Sequence, residues 1–114
     1  MSMPNSKFQK FMNDNGKFYF HLTVNGEIIL KSEAFASELQ YAKAIYLTKT
    51  NGHVVSAYRT MTTANGKYYF NFSSEGMLIG TSENYDTWAE MQKVLESVRF
   101  YASDAFVENT LSSV

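Results

Sequence analysis

Residues 15 to 51 repeat without a gap at residues 65 to 101, so that NGKFYFHLTVNGEIILKSEAFASELQYAKAIYLTKTN lies over NGKYYFNFSSEGMLIGTSENYDTWAEMQKVLESVRFY. Ten of the 37 aligned pairs are identical: Asn15/Asn65, Gly16/Gly66, Lys17/Lys67, Tyr19/Tyr69, Phe20/Phe70, Gly26/Gly76, Ile29/Ile79, Ser32/Ser82, Glu33/Glu83 and Lys43/Lys93. Ordinary composition would give roughly two or three. The chain is therefore one structural unit used twice. A unit of about 50 residues is marginal alone, whereas a chain of 114 residues buries enough surface for one compact domain. The expected arrangement is two half-domains sharing a core about an approximate two-fold axis.

Within one unit Phe18, Phe20 and Leu22 alternate with Tyr19, His21 and Thr23, the period of a two-faced strand. The second unit repeats the pattern as Tyr68, Phe70 and Phe72 against Tyr69, Asn71 and Ser73. Asn25-Gly26 is a hairpin signal, because both central residues of a type I′ turn need φ > 0, and Glu75-Gly76 is its weaker counterpart. A second pair of turns, Asn15-Gly16 and Asn65-Gly66, precedes the alternating strand, so each unit opens as a three-stranded antiparallel meander. Two-residue turns would place Phe11, Phe18, Phe20, Leu22 and Ile29 on one core face and Met61, Tyr68, Phe70, Phe72 and Ile79 on the other. A three-residue turn with a bulge would shift the register by one and exchange the faces.

After Ser32-Glu33 and Ser82-Glu83 the period lengthens to that of a helix. Ser37 with Gln40, and Thr87 with Glu90, fit a capping box. The buried stripes are expected from Tyr41, Ala42 and Ile45, and from Trp88, Met91, Leu95, Val98 and Ala102. Gly52 is expected to end the first helix as a left-handed cap. Residues 53–57 and 104–108 are candidates for a short strand after each helix, and Asn109 to Val114 are expected to fray. The expected fold is α+β, a single domain over 1–114 with repeats spanning residues 8–52 and 58–102 and a tail over 103–114.

These residues resemble the YegP-like family, small bacterial and archaeal domains of unknown function. The resemblance rests on NGK-aromatic-Tyr-Phe, a turn ending in Gly, an aliphatic strand ending Ser-Glu, an aromatic two residues later and a capped helix, at Asn15 to Ile45 and again at Asn65 to Leu95. It implies a meander-plus-helix unit, used in tandem or as a dimer of single units, and it implies no activity. The signature residues Gly16, Gly26, Ser32, Glu33, Gly66, Gly76, Ser82 and Glu83 are read as structural. Leu30 corresponds to Gly80, and Glu27 to Met77, so the two outward faces are expected to differ.

Ten Lys plus Arg against eleven Asp plus Glu, with no basic run, make duplex nucleic acid an unsuitable partner. No apolar stretch reaches the length of a membrane span, and MSMPNSKFQKF carries no apolar h-region, so a cytoplasmic location is expected. The absence of Cys excludes disulfides and thiolate chemistry. No cofactor or metal is expected. His21 and His53 lie in different settings, and Asn71 replaces His21 in the sister unit, so a shared metal site lacks a ligand set.

Ser32-Glu33 and Ser82-Glu83 are the most enzyme-like features, yet neighbours on a strand point to opposite faces, so neither Glu is placed as base for its Ser. Backbone hydrogen bonding by the Ser and capping of a helix start by the Glu is the better reading. No convergent catalytic set remains, and the chain is expected not to be an enzyme. By the two-turn register, Phe8, Met12, Tyr19, His21, Ile28 and Leu30 share one outward face, and Tyr58, Thr62, Tyr69, Leu78 and Gly80 the other. The candidate binding surface is thus Phe8, Met12, Tyr19, His21, Leu30, Tyr58 and Tyr69. The alternative is that a helix, or the tail with Phe106 and Val107, covers it. The leading expectation is a small non-catalytic module that binds a partner, such as a protein, as a monomer or weak homodimer. The competing ones are single-stranded nucleic acid stacked on the aromatic face, and an enzyme using Glu33 and Glu83 as a carboxylate pair between the repeats.

Overall fold

The computed structural model describes residues 5–112, so the extreme ends of the expected 1–114 domain lie outside the described residues. The elements run β1 (Ser6–Met12), β2 (Phe18–Val24), β3 (Glu27–Ser32), α1 (Glu38–Asn51), β4 (Tyr58–Thr62), β5 (Tyr68–Ser74), β6 (Met77–Thr81), α2 (Trp88–Tyr101) and β7 (Phe106–Leu111). Short 3-10 turns at Val55–Ala57 and Ala102–Asp104 follow the two helices. The architecture is α+β, with one mixed seven-stranded sheet in the order β4-β5-β6-β3-β2-β1-β7. Only β7 on β1 is parallel.

Two local irregularities set which side chains face the helices. In the first hairpin the Asn13 N–H donates to the Lys17 carbonyl, the Gly16 N–H donates to the Asn13 carbonyl, and Gly16 sits at φ +76. That is a three-residue loop closed by a left-handed glycine, not the two-residue turn expected. The register shifts by one, pairing Phe8 with Leu22, Lys10 with Phe20 and Phe11 with Tyr19. The second unit does the same, so Thr60 pairs with Phe70 and Met61 with Tyr69. The Asn25-Gly26 turn, with φ 52 and 84, is the expected type I′ hairpin. Just beyond it Ile29 bulges out of the ladder, so Leu30 pairs with Leu22, and Ile79 bulges likewise beside Gly80 and Phe72.

The consequence is one core for both units. Phe8, Phe20, Leu22, Ile29, Leu30, Phe70, Phe72 and Ile79 from the sheet meet Tyr41, Ala44, Ile45 and Leu47 of α1 and Met91, Val94, Leu95 and Val98 of α2. Each large apolar side chain buried there contributes about 1.5–3 kcal/mol against the entropy of ordering the chain. Phe11 and Met61, expected in that core, lie outside it. On α1 the buried set is Tyr41, Ala44, Ile45, Leu47 and Thr48, and Ala42 is exposed. On α2 Trp88 is half exposed, its ring edge against Tyr68.

The helix starts follow the sequence closely. Ser37 Oγ accepts from the Gln40 N–H and Thr87 Oγ1 from the Glu90 N–H, both at 3.1 Å. Gly52 departs from expectation: its φ of −61 is right-handed, and a Cβ there would lie 3.0 Å from Ala102 Cβ and 2.5 Å from the Thr48 carbonyl oxygen. The glycine serves close approach, not a left-handed turn. The expected strand at 53–57 is instead a 3-10 turn, and the tail expected to fray over Asn109 to Val114 is ordered as β7 through Leu111. Val107 lies beside Phe8, and the Ser112 N–H donates to the Lys10 carbonyl. Among the described residues no helix is long and apolar enough to cross a membrane.

The repeated Ser-Glu pair has a clear structural use. Ser82 Oγ accepts from the Phe70 N–H at 3.0 Å and donates to the Glu83 carbonyl at 2.8 Å. Ser32 does the same with Phe20 and Glu33, at 2.7 and 2.8 Å. The hydroxyl thus satisfies a backbone donor of the central strand where the ladder ends. Ser82→Ala is expected to lower unfolding free energy by about 1–3 kcal/mol, because it leaves the buried Phe70 N–H without an acceptor. Ser32→Ala, at the less buried site, should cost less, and urea denaturation of the two variants side by side checks the order.

Candidate functional site

Both helices pack on the sheet face that carries Phe20 and Phe70, which leaves the other face without a helix. Strand alternation puts Phe11, Tyr19, His21 and Lys31 of the first unit there, with Met61, Tyr69, Asn71 and Thr81 fifty residues on. The first four make an aromatic cluster flanked by a cation. Phe11 stacks on Tyr19 with centroids 5.2 Å apart and 17° between planes, and lies 4.7 Å from the His21 ring. Mutual packing leaves Phe11 only 7% exposed although it stands outside the helix-covered core.

In the second unit polar contacts replace that stack. Thr81 Oγ1 donates to Asn71 Oδ1 at 2.9 Å, and Asn71 Nδ2 lies 3.9 Å from Met61 Sδ. Between the halves Lys31 Nζ pairs with a Glu83 oxygen at 2.6 Å, both side chains about half exposed. Such a pair contributes little to stability, at most about 1 kcal/mol, but it fixes a charged feature midway across the face. His21 is held below its usual value, first by partial burial and then by the Lys31 ammonium, against a smaller opposing pull from Glu83. A neutral imidazole among aromatic rings suits stacking and hydrogen bonding.

The surface expected from the sequence is divided by this register. Tyr19, His21 and Tyr69 do stand on the helix-free face. Phe8 and Leu30 do not: both are fully buried in the core, moved there by the three-residue loop and by the bulge at Ile29. Met12 and Tyr58 follow the same shift to the helix side. Met12 is half exposed at the strand end, whereas the Tyr58 ring packs 5.7 and 5.1 Å from Phe70 and Phe72 and its hydroxyl donates to the Gly52 carbonyl at 2.7 Å. Phe11 is the residue that two-residue turns missed. The run Asn13-Asp14-Asn15-Gly16 held the signal, since it also fits a three-residue loop closed by a left-handed glycine.

Glu33 and Glu83 go to different neighbours. Glu33 is exposed and its N–H donates to the Ile79 carbonyl, while the Glu83 carboxylate is engaged by Lys31. Capping of the following helix is done by Ser37 and Thr87 instead. His53 is exposed beyond α1, and its carbonyl accepts from Arg99 Nε at 3.2 Å. Among the described residues no group of three or more His, Cys, Asp or Glu is placed to hold a metal ion.

Comparison with known proteins gives a consistent picture. The model of a family described as a domain of unknown function, DUF1508, matches twice, over residues 13–55 and 64–108. The solution structure of yegP from E. coli, a protein of unknown function, superposes with a TM-score of 0.89 at 28% identity over 100% of both chains. The solution structure of the UPF0339 protein SO3888 from Shewanella oneidensis gives 0.86 at 26% identity, over 91% of this chain and 90% of that one. No curated protein sequence matches.

Proposed function

The chain belongs to the DUF1508 family of domains of unknown function, and from that premise we propose that it is a non-catalytic binding module whose working surface is the helix-free face of the sheet. The carrying observation is the Phe11–Tyr19–His21 stack, an aromatic cluster on a face that neither helix covers. Aromatic groups of this kind, held rigid by one another, provide contact area at small entropic cost. The duplication serves this surface. In our reading each unit is a β-meander plus helix, the units are related by an approximate two-fold axis between Lys31 and Thr81, and one shared core backs the whole face. A protein partner fits better than a nucleic-acid strand, because Lys7 and Lys31 are already paired with Glu108 and Glu83, and the one further strand cation of this face, Arg59, is too little to track a phosphate backbone.

A photo-crosslinking residue at position 19 tests this, with the exposed position 46 on α1 as control. Specific protein adducts are expected from position 19 and not from position 46. Tyr69→Ser and His21→Ala should lower the yield at least about tenfold while changing stability by about 1 kcal/mol or less. Equal labelling from both positions would remove the open face as the working surface. Adducts to single-stranded oligonucleotides that follow the same substitutions would favour base stacking instead.

A further inference from the structure

The two outer strands of the repeats, β1 and β4, align fifty residues apart, yet they are treated differently. β7 lies parallel along β1, pairing Phe106 with Lys7 and Val107 with Phe8, and Glu108 reaches Lys7 at 3.2 Å. Among the described residues β4 has no such neighbour and ends the sheet. Beside it runs a groove of about 620 Å³ whose lining includes Ala57, Tyr58, Arg59, Ser73 and Leu78. Its origin is visible in the alignment: Ala57 stands where the first unit has Lys7, whose long side chain lies opposite Thr23. Thr23 is 2% exposed, whereas its counterpart Ser73 remains partly open. Val55, at the entry to β4, is 64% exposed. Arg59 is exposed and takes part in none of the ion pairs among the described residues.

We propose that the β4 edge accepts an extended acidic segment of a partner protein as an eighth strand, running parallel to β4 as β7 runs along β1. The Ala57 and Tyr58 N–H groups already donate to the Val54 and Val55 carbonyls in the 3-10 turn, so the ladder is supplied by the edge backbone groups beyond them, toward Thr60 and Thr62. The groove beside Ser73 takes an apolar side chain, and the free guanidinium of Arg59 takes the carboxylate, as Lys7 takes Glu108 in the first unit. Asn71 also lines the groove, which therefore opens at the β4 end of the helix-free face, with β3 between it and the Tyr19–His21 cluster on β2.

The probe is the capped octapeptide AFVENTLS, residues 105–112 of this chain, titrated into the full-length protein and followed by amide NMR shifts. Saturable shifts are expected at residues 57–62, Ser73 and Leu78, with the β1 amides unmoved. Arg59→Glu should weaken binding about tenfold or more without changing thermal stability. The Glu108→Lys form of the peptide should then prefer the Arg59→Glu protein to the original. Absence of β4 shifts at millimolar peptide, or shifts confined to β1 and β7, would overturn the proposal. So would a self-association that Arg59→Glu abolishes, since a second copy would then be the occupant. Shifts at Tyr19 and His21 alone would support the open face while rejecting the edge.

Discussion

Gly80→Leu is expected to destabilise the protein by about 3 kcal/mol or more, read as a lower urea midpoint with an unchanged slope. A Cβ at Gly80 would lie 2.9 Å from Leu30 Cγ and 2.9 Å from the Lys31 carbonyl oxygen, and the second of these is backbone that cannot swing aside. Leu30 and Gly80 are aligned positions straddling the junction where Lys31 pairs with Thr81. Only one large side chain fits between them, so the two units must differ here. Leu30→Gly alone should cost a comparable amount by leaving a cavity. Together, Leu30→Gly and Gly80→Leu should recover a substantial part of the loss, because the leucine is moved to the equivalent place on the other side of the junction. A double-mutant cycle with no coupling would mean that the two sites do not share one space.

Phe20→Ala is expected to cost about 3–5 kcal/mol, and Phe70→Ala the same, as each ring is completely buried between sheet and helices. Phe11→Ala should cost less, about 1.5–3 kcal/mol: the ring is 7% exposed, yet it packs against Tyr19 and His21 on the helix-free face, where the space it leaves is open to collapse or to water. Near-equal burial of Phe11 and Phe20 makes the transfer terms alike, so the contrast reads the cavity that Phe20 leaves between sheet and helices. A larger loss for Phe11→Ala than for Phe20→Ala in chemical denaturation would contradict the one-residue shift imposed by the loop at Gly16, which places Phe11 on the helix-free face and Phe20 in the core.

Much of the fold is legible in local signals. The alternation from Phe18 to Thr23, the Asn25-Gly26 turn, and the hydroxyls of Ser37 and Thr87 act through neighbours a few residues away, and each does what its chemistry implies. The Ser32 and Ser82 hydroxyls also serve the backbone, although the partners they satisfy lie twelve residues back, on the paired strand. The candidate surface is only half legible. Tyr19, His21 and Tyr69 keep their face because β2 and β5 alternate without interruption. Phe8, Leu30 and Tyr58 change face because one extra residue in a turn or a bulge inverts every side chain beyond it.

By itself the sequence determined that its second half repeats the first, where the two helices begin, and which of its residues are turn-formers, since these follow from residue identities and from backbone preferences within a few residues. Tertiary structure alone decided that Gly52 meets Ala102, that Leu30 occupies the space over Gly80, that β7 closes one edge of the sheet, and that among the described residues β4 is left open. A repeat makes its copies locally alike, but side chains meeting at the junction compete for the same volume and the last strand can reach only one of two edges. Those asymmetries arise from packing between residues far apart in the chain, which no local pattern encodes.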